Sequence, residues 1–144
     1  LLPDRTVFEN VSLVLEIQGL SEKEIKRQVN QILEMTQLSD RAHLFPAQLA
    51  GGELQRTVIA RAVVGNPDLL LADEPTGNLD PDTSQQIIKL LKSIHQKGTT
   101  ILMATHNAAI VDQLNQRVIS LKNGKLIKDE PTGKYPRHKT DETH

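Results

Sequence analysis

The sequence predicts an α/β fold: a helical region first, then part of a mostly parallel sheet, then a C-terminal β-hairpin. Three observations carry this. Two capping boxes, Thr6 with Glu9 and Ser21 with Glu24, open helices near the start of the chain. Two short apolar runs, 69–72 and 99–105, stand on either side of a helix-period segment, and runs of this kind form central parallel strands. Near the end, the apolar stretches 118–121 and 125–127 flank Asn123-Gly124, a pair that supplies the left-handed backbone of a tight hairpin.

The first helix is predicted over about 7–18 with Gly19 as its stop, and the second follows Ser21 with Ile25, Val29, Ile32 and Leu33 at helical spacing. Residues 39–50 lack periodicity and contain Pro46, so a loop is expected there, leading to Gly51-Gly52. A third helix is expected over about 53–64, with Val58, Ile59, Ala62 and Val63 apolar, ending at Gly65-Asn66-Pro67. The wholly apolar run 69–72 predicts a strand buried on both faces. Asp80 caps a helix that begins with Pro81 and runs to about Gln96, with Ile87, Ile88, Leu91 and Ile94 turned inward and Gly98 at its end. The β-branched run 99–105 is the second strand, 107–115 a short helix, and the hairpin follows. From Pro131 onward the residues are polar. The expected organisation is a domain over 1–130, helical over about 1–50 and sheet-bearing over about 51–130, and a loose, disordered tail over 131–144.

The 144 residues carry a formal net charge of −1, with 24% charged and 38% hydrophobic residues and no cysteine or tryptophan. This is the composition of a globular chain long enough to bury a core. A near-neutral balance lacks the basic surplus that gripping nucleic-acid phosphates requires, and Phe8, Phe45 and Tyr135 are too few to stack bases, so no nucleic-acid partner is expected. No apolar run nears the ~18 residues of a spanning helix, and no N-terminal signal is visible. Without cysteine there is neither a disulfide nor a thiolate metal site, which suits the cytoplasm. The chain begins Leu1-Leu2-Pro3 without an initiator methionine and is expected to be a fragment.

Three places carry groups suited to chemistry. The apolar run from Leu69 ends in Asp73-Glu74, and carboxylates at a buried strand end are costly unless a cation meets them. Nucleotide hydrolysis gives such a pair a use, with Asp73 holding Mg²⁺ and Glu74 acting as general base toward the attacking water. The plain alternative is a surface turn before Pro75. Gly51-Gly52 ahead of a helix suits phosphate, because N–H groups and dipole at a helix N-terminus attract anions, but an ordinary glycine turn looks the same. His106 follows the second strand at the sheet end where α/β proteins hold ligands, and a lone histidine there is as readily structural. His43 and His95 fit no constellation.

Taken together and in this order, Leu49-Ala50-Gly51-Gly52-Glu53 with Gln55-Arg56, the run 69–74, Gly77-Asn78-Leu79-Asp80 and His106 resemble the nucleotide-binding domain of ABC transporters, a P-loop NTPase family. The resemblance covers the chain up to about Tyr135. It implies an ATP-hydrolysing subunit that uses ATP and Mg²⁺. Ala50, Gly51, Gly52 and Glu53 would form the signature motif at the nucleotide, Asp73 the Walker B acid on the metal, and Glu74 the catalytic base. Asp80 would lie in the D-loop, and His106 would be the switch histidine that orients the γ-phosphate. A homodimer of such domains is implied, docked through about 1–19 to a permease-like integral membrane subunit on the inner face of the plasma membrane. Residues 2–11 and the run Asp73-Glu74-Pro75-Thr76-Gly77-Asn78-Leu79-Asp80 are similar to family members that act in cell division. Members for lipoprotein release and macrolide export share the second run.

The chain departs from the family pattern twice. No Gly-x-x-x-x-Gly-Lys-Ser/Thr run is present, and neither Gly124-Lys125 nor Gly133-Lys134 replaces it, so these residues alone are expected neither to bind nor to hydrolyse ATP. Ala50 stands where the family usually has serine; the lost donor weakens transition-state stabilisation by about 1–3 kcal/mol. Both departures suit a competing class, a non-hydrolysing interaction module. A chromosome-structuring ATPase is disfavoured, because the helices before Gly51 are short and carry no sustained heptads.

Overall fold

In the computed structural model, which describes residues 1–135, helix α1 (Val7–Ile17) starts at a capping box. The Glu9 N–H donates to the Thr6 hydroxyl at 3.3 Å, and the Thr6 N–H donates to the Glu9 carboxylate at 2.7 Å. Helix α2 (Glu22–Met35) repeats the device with Ser21 and Glu24. Gly19 ends α1 in the left-handed region at φ 75°, a conformation that costs glycine nothing, and hands the Leu20 N–H back to the Leu15 carbonyl. Two 3-10 turns, Ser39–Arg41 and Pro46–Gln48, fill the stretch expected to be a loop.

Helix α3 (Gly51–Val63) runs into strand β1 (Leu69–Asp73), then helix α4 (Pro81–Gln96) leads to strand β2 (Thr100–Ala104). β1 and β2 pair in parallel, Leu69 opposite Thr100 through Asp73 opposite Ala104. These elements make up one unit, Leu1–Ala104. Its core is built by helical spacing. Val7, Val11 and Leu15 of α1 meet Val29 and Leu33 of α2, with Leu38, Ala60 and Val64 closing the cluster. Burying each such Val or Leu side chain is worth about 1.5–3 kcal/mol. Along α4, Ile87, Ile88, Leu91 and Ile94 are buried as the periodicity predicts, and the helix packs on β2. His95, which fits no chemical constellation, has its Nδ1 3.0 Å from the Thr99 carbonyl at the turn into β2.

The strands depart from expectation. The run 69–72 is expected to be buried on both faces, but side chains alternate across a strand, and in β1, as in β2, only alternate positions are covered. Leu70 is buried while Leu69, Leu71 and Leu102 are 53%, 67% and 56% exposed. Among the described residues β1 and β2 are each other's one hydrogen-bonded neighbour. The second correction concerns Gly51 and Gly52. They do not precede the helix as a loop but form its first two residues, because the neighbouring Glu53 completes half a cap and fixes the helix start at Ala50.

The second unit begins at Thr105. Helix α5 (Ala108–Leu114) is capped by the Asn107 side chain, and Asn115 at φ 49° ends it. Strands β3 (Val118–Lys122) and β4 (Lys125–Glu130) form the expected antiparallel hairpin, turning at Asn123 and Gly124 with φ of 51° and 72°. A bulge falls between Ser120 and Leu121. Of the expected tail over 131–144, residues 136–144 lie outside the described residues. Within the rest, Gly133 donates its N–H to Gln116 and Tyr135 its N–H to Asp112.

Asn10, fully buried on α1, ties down the start of the chain. Its Oδ1 accepts from the Leu2 N–H at 2.8 Å, and its Nδ2 donates to the carbonyls of Leu2, Arg5 and Thr6 at 2.9–3.0 Å. A buried amide whose oxygen and amino group are both hydrogen-bonded is costly to truncate. Asn10→Ala is expected to lower the unfolding free energy by about 2–3 kcal/mol and to make 1–6 susceptible to proteolysis. Urea denaturation and limited digestion measure both. A loss under ~0.5 kcal/mol, the scale of a neutral surface change, would show that Asn10 does not hold that segment.

Candidate functional site

The site is built on two helix starts and one strand end. At α3 the N-cap is Ala50, which has no side-chain oxygen, so the N–H groups of the first turn receive no side-chain cap. Glu53 instead reaches back and accepts the Ala50 N–H at 2.9 Å, while its other oxygen accepts from Arg41 Nε at 2.8 Å. The Ala50 N–H, and after it the Arg41 guanidinium, hold the Glu53 carboxyl below its usual 4.5. Arg41 stands in the first 3-10 turn, so this ion pair links that turn to the start of α3.

At α4 Asp80 is the N-cap and accepts the Thr83 N–H at 2.9 Å. The Thr83 hydroxyl, and after it the Thr83 N–H, hold the Asp80 carboxyl below its usual 3.8. The two helix starts meet: Gly52 faces the Thr83 side chain and Gly51 faces Leu79. Farther along the same pair of helices, Arg56 Nη1 donates to Gln86 Oε1 at 3.2 Å.

β1 delivers the acidic pair. Asp73 is its last residue, exposed and opposite Ala104. Glu74 follows at φ 43°, a left-handed conformation that costs a residue with a Cβ about 1–3 kcal/mol. It is kept there from both sides. Its N–H donates to the Ala104 carbonyl at 2.9 Å, and its carbonyl accepts the Gly77 N–H at 3.1 Å in the turn that leads to Asp80. Ala50, Gly51, Gly52, Glu53, Asp73, Glu74 and Asp80 therefore all belong to the first unit. His106 belongs to the second, exposed ahead of α5. Sequence reasoning missed Arg41 and Thr83, since neither stands in a motif; a β-branched residue three after a capping Asp was the available sign for Thr83.

A profile of the ABC transporter family matches residues 1–77. The chain belongs to the ABC transporter family. Over 135 residues it is 51% identical to the cell division ATP-binding protein FtsE of Streptococcus pneumoniae strain D39, and equally to that of Bacillus subtilis strain 168. Both alignments cover 94% of this chain and 59% of the relative. The methionine import ATP-binding protein MetN of Chromohalobacter salexigens is 43% identical over 136 residues, covering 94% of this chain and 39% of the relative. The chain thus spans less than two thirds of the length of these relatives. It is a portion of an ABC nucleotide-binding domain and similar to FtsE. Among the described residues no helix is long and apolar enough to cross a membrane.

The lowered Glu53 and Asp80 carboxyls make stability depend on acid. With folded values below the unfolded ones, the stability they add is fully present above the unfolded values, about 4.5 and 3.8, and is lost as pH falls through the folded values. Glu53→Gln is expected to flatten the acid limb of a pH–stability curve below about pH 4.5. Chemical denaturation across pH measures it, and superimposable acid limbs would remove Glu53 from the cap.

Proposed function

We propose that the protein containing this chain is an ATP-binding, ATP-hydrolysing subunit of an ABC-type membrane complex, FtsE-like and acting in cell division. The observation that carries this is the joining, in one unit, of an uncapped signature helix start, the Asp80-capped helix and the Asp73-Glu74 strand end. The similarity to FtsE supports the finer assignment. Similarity to MetN supports a second reading, an importer ATPase.

In the proposed mechanism Gly51 and Gly52 offer first-turn N–H groups to the γ-phosphate of a nucleotide held across a homodimer. Ala50 lacks the hydroxyl that would add a further donor. Glu74 takes the proton of the attacking water, and its held backbone fixes where the carboxylate starts. His106, in the second unit, is proposed as the switch histidine. Mg²⁺, when bound, neutralises charge on the transferring phosphoryl group. Asp73 supplies a hard oxygen for it, and no group of three His, Cys, Asp or Glu gathers among the described residues. One carboxylate with phosphates and waters is an ordinary Mg²⁺ ligand set, so Asp73 fits that role without a protein cage. The partner proposed is an FtsX-like permease subunit, met through about 1–19, whose start Asn10 ties down at Leu2, Arg5 and Thr6. Leu2 is exposed there, whereas Phe8 packs against the core cluster. Recruitment to that subunit would place the protein on the cytoplasmic face of the plasma membrane.

The 144 residues contain no phosphate loop of the Walker A kind, and by themselves they are expected to show no heat of Mg-ATP binding in titration calorimetry. In the whole protein, Glu74→Gln is expected to keep nucleotide affinity while turnover falls at least ~100-fold, the scale of a general base. Micromolar binding by the 144-residue chain, or near-normal turnover in the variant, would contradict the proposal.

A further inference from the structure

The paired glycines of the signature are not alike. Neither has the positive φ that makes glycine necessary, since the positive-φ glycines among the described residues are Gly19, Gly98 and Gly124. At the first turn of α3 the use of each glycine therefore lies in what a Cβ would meet. For Gly52 a constraint is visible. A Cβ there would lie 2.5 Å from Thr83 Cγ2, far inside contact distance, and 3.8 Å from both Thr83 Cβ and Oγ1. For Gly51 there is none among the described residues, because a Cβ would rest 3.6 Å from Leu79 Cδ2, an ordinary contact.

Thr83 is not free to yield. It occupies the third position of α4, and its hydroxyl as well as its N–H is bonded to the Asp80 carboxylate, which holds the side chain in the rotamer that turns its methyl to Gly52. The contact is also part of a seam. Gly52 and Arg56 lie four apart on α3, Thr83 and Gln86 three apart on α4, and such spacings place each pair on one helix face. The Arg56–Gln86 hydrogen bond continues the contact one turn on.

We infer that Gly52 is glycine so that α4 can close against the signature helix, and that Thr83 is a positioning residue for the first-turn N–H groups of α3. The Thr83 methyl sets how far the start of α3 stands from the Asp80-capped turn, so signature and D-loop move as one piece. The packing part stands without the proposed ATPase reading; the positioning part rests on it.

The test uses Gly52→Ala, Thr83→Ser, both together, Gly52→Ala with Thr83→Val, and Gly51→Ala. Thr83→Ser deletes the obstructing methyl but keeps the hydroxyl and the backbone bond, whereas Thr83→Val keeps a methyl in place. In thermal unfolding of the whole protein, Gly52→Ala is expected to lower Tm by ~3–10 °C, as overpacking does. Thr83→Ser and Gly51→Ala should stay close to wild type, the Gly52→Ala/Thr83→Ser pair should recover most of the loss, and the Val pair should not. Turnover should fall at least tenfold in Gly52→Ala and return in the Ser pair with KM for ATP unchanged. If Gly52→Ala leaves Tm unchanged, or the Ser pair is no more stable than Gly52→Ala, the packing role is wrong. Recovery of Tm without recovery of turnover would overturn Thr83 as a positioning residue. A wild-type protein without turnover would instead sink the ATPase reading and leave the thermal result to decide the packing.

Discussion

The approach of α3 to α4 at Gly52 and Thr83 is the contact on which the arrangement of the first unit's functional groups depends. A helix N-terminus attracts an anion only if its first N–H groups are both uncapped and held in place. Ala50 leaves them uncapped, and Glu53 is committed to the Ala50 N–H and to Arg41. What holds them is tertiary: the Thr83 methyl against Gly52, Leu79 beside Gly51, and Arg56 bonded to Gln86. Because Asp80 caps the same helix that carries Thr83, the turn leading from Glu74 inherits its position from that contact.

Local devices were legible in the sequence and tertiary ones were not. Thr6, Ser21, Asp80, Gly19 and Asn123-Gly124 act through neighbours within a few residues, and each sits where its pattern implies. The start of α3 was missed by two residues because a glycine pair ordinarily signals a loop, and only the reach of Glu53 back to Ala50 marks it as helix. The wholly apolar run of β1 predicts burial on both faces, yet Leu69 and Leu71 are exposed, because burial is set by what lies against a strand and not by the strand's own composition. Asn10 reads as one polar residue on an apolar helix face, and nothing local tells that its amide binds Leu2, Arg5 and Thr6. Arg41 and Thr83 take their meaning from residues 12 and 31 positions away, Glu53 and Gly52.

The candidate base shows the usual conflict between function and stability. Glu74 sits in a backbone conformation better suited to glycine, held by the Ala104 carbonyl and the Gly77 N–H. Such strain persists where the surroundings over-determine it, and a carboxylate one residue beyond a strand end repays it only if its placement matters. Ala50 is the opposite case, a position where a serine would add both a helix cap and a phosphate donor, and the chain carries neither.

Amide hydrogen exchange at Gly51 and Gly52 in the whole protein, with and without Mg-ATP, tests most directly whether the start of α3 receives phosphate. With the N–H groups of the first turn uncapped, both amides should exchange readily without nucleotide and slow at least ~10-fold when it is bound, the scale of an added hydrogen bond worth ~1–2 kcal/mol. Equal exchange in the two states, in a protein shown to bind nucleotide, would mean that the signature helix start does not hold phosphate.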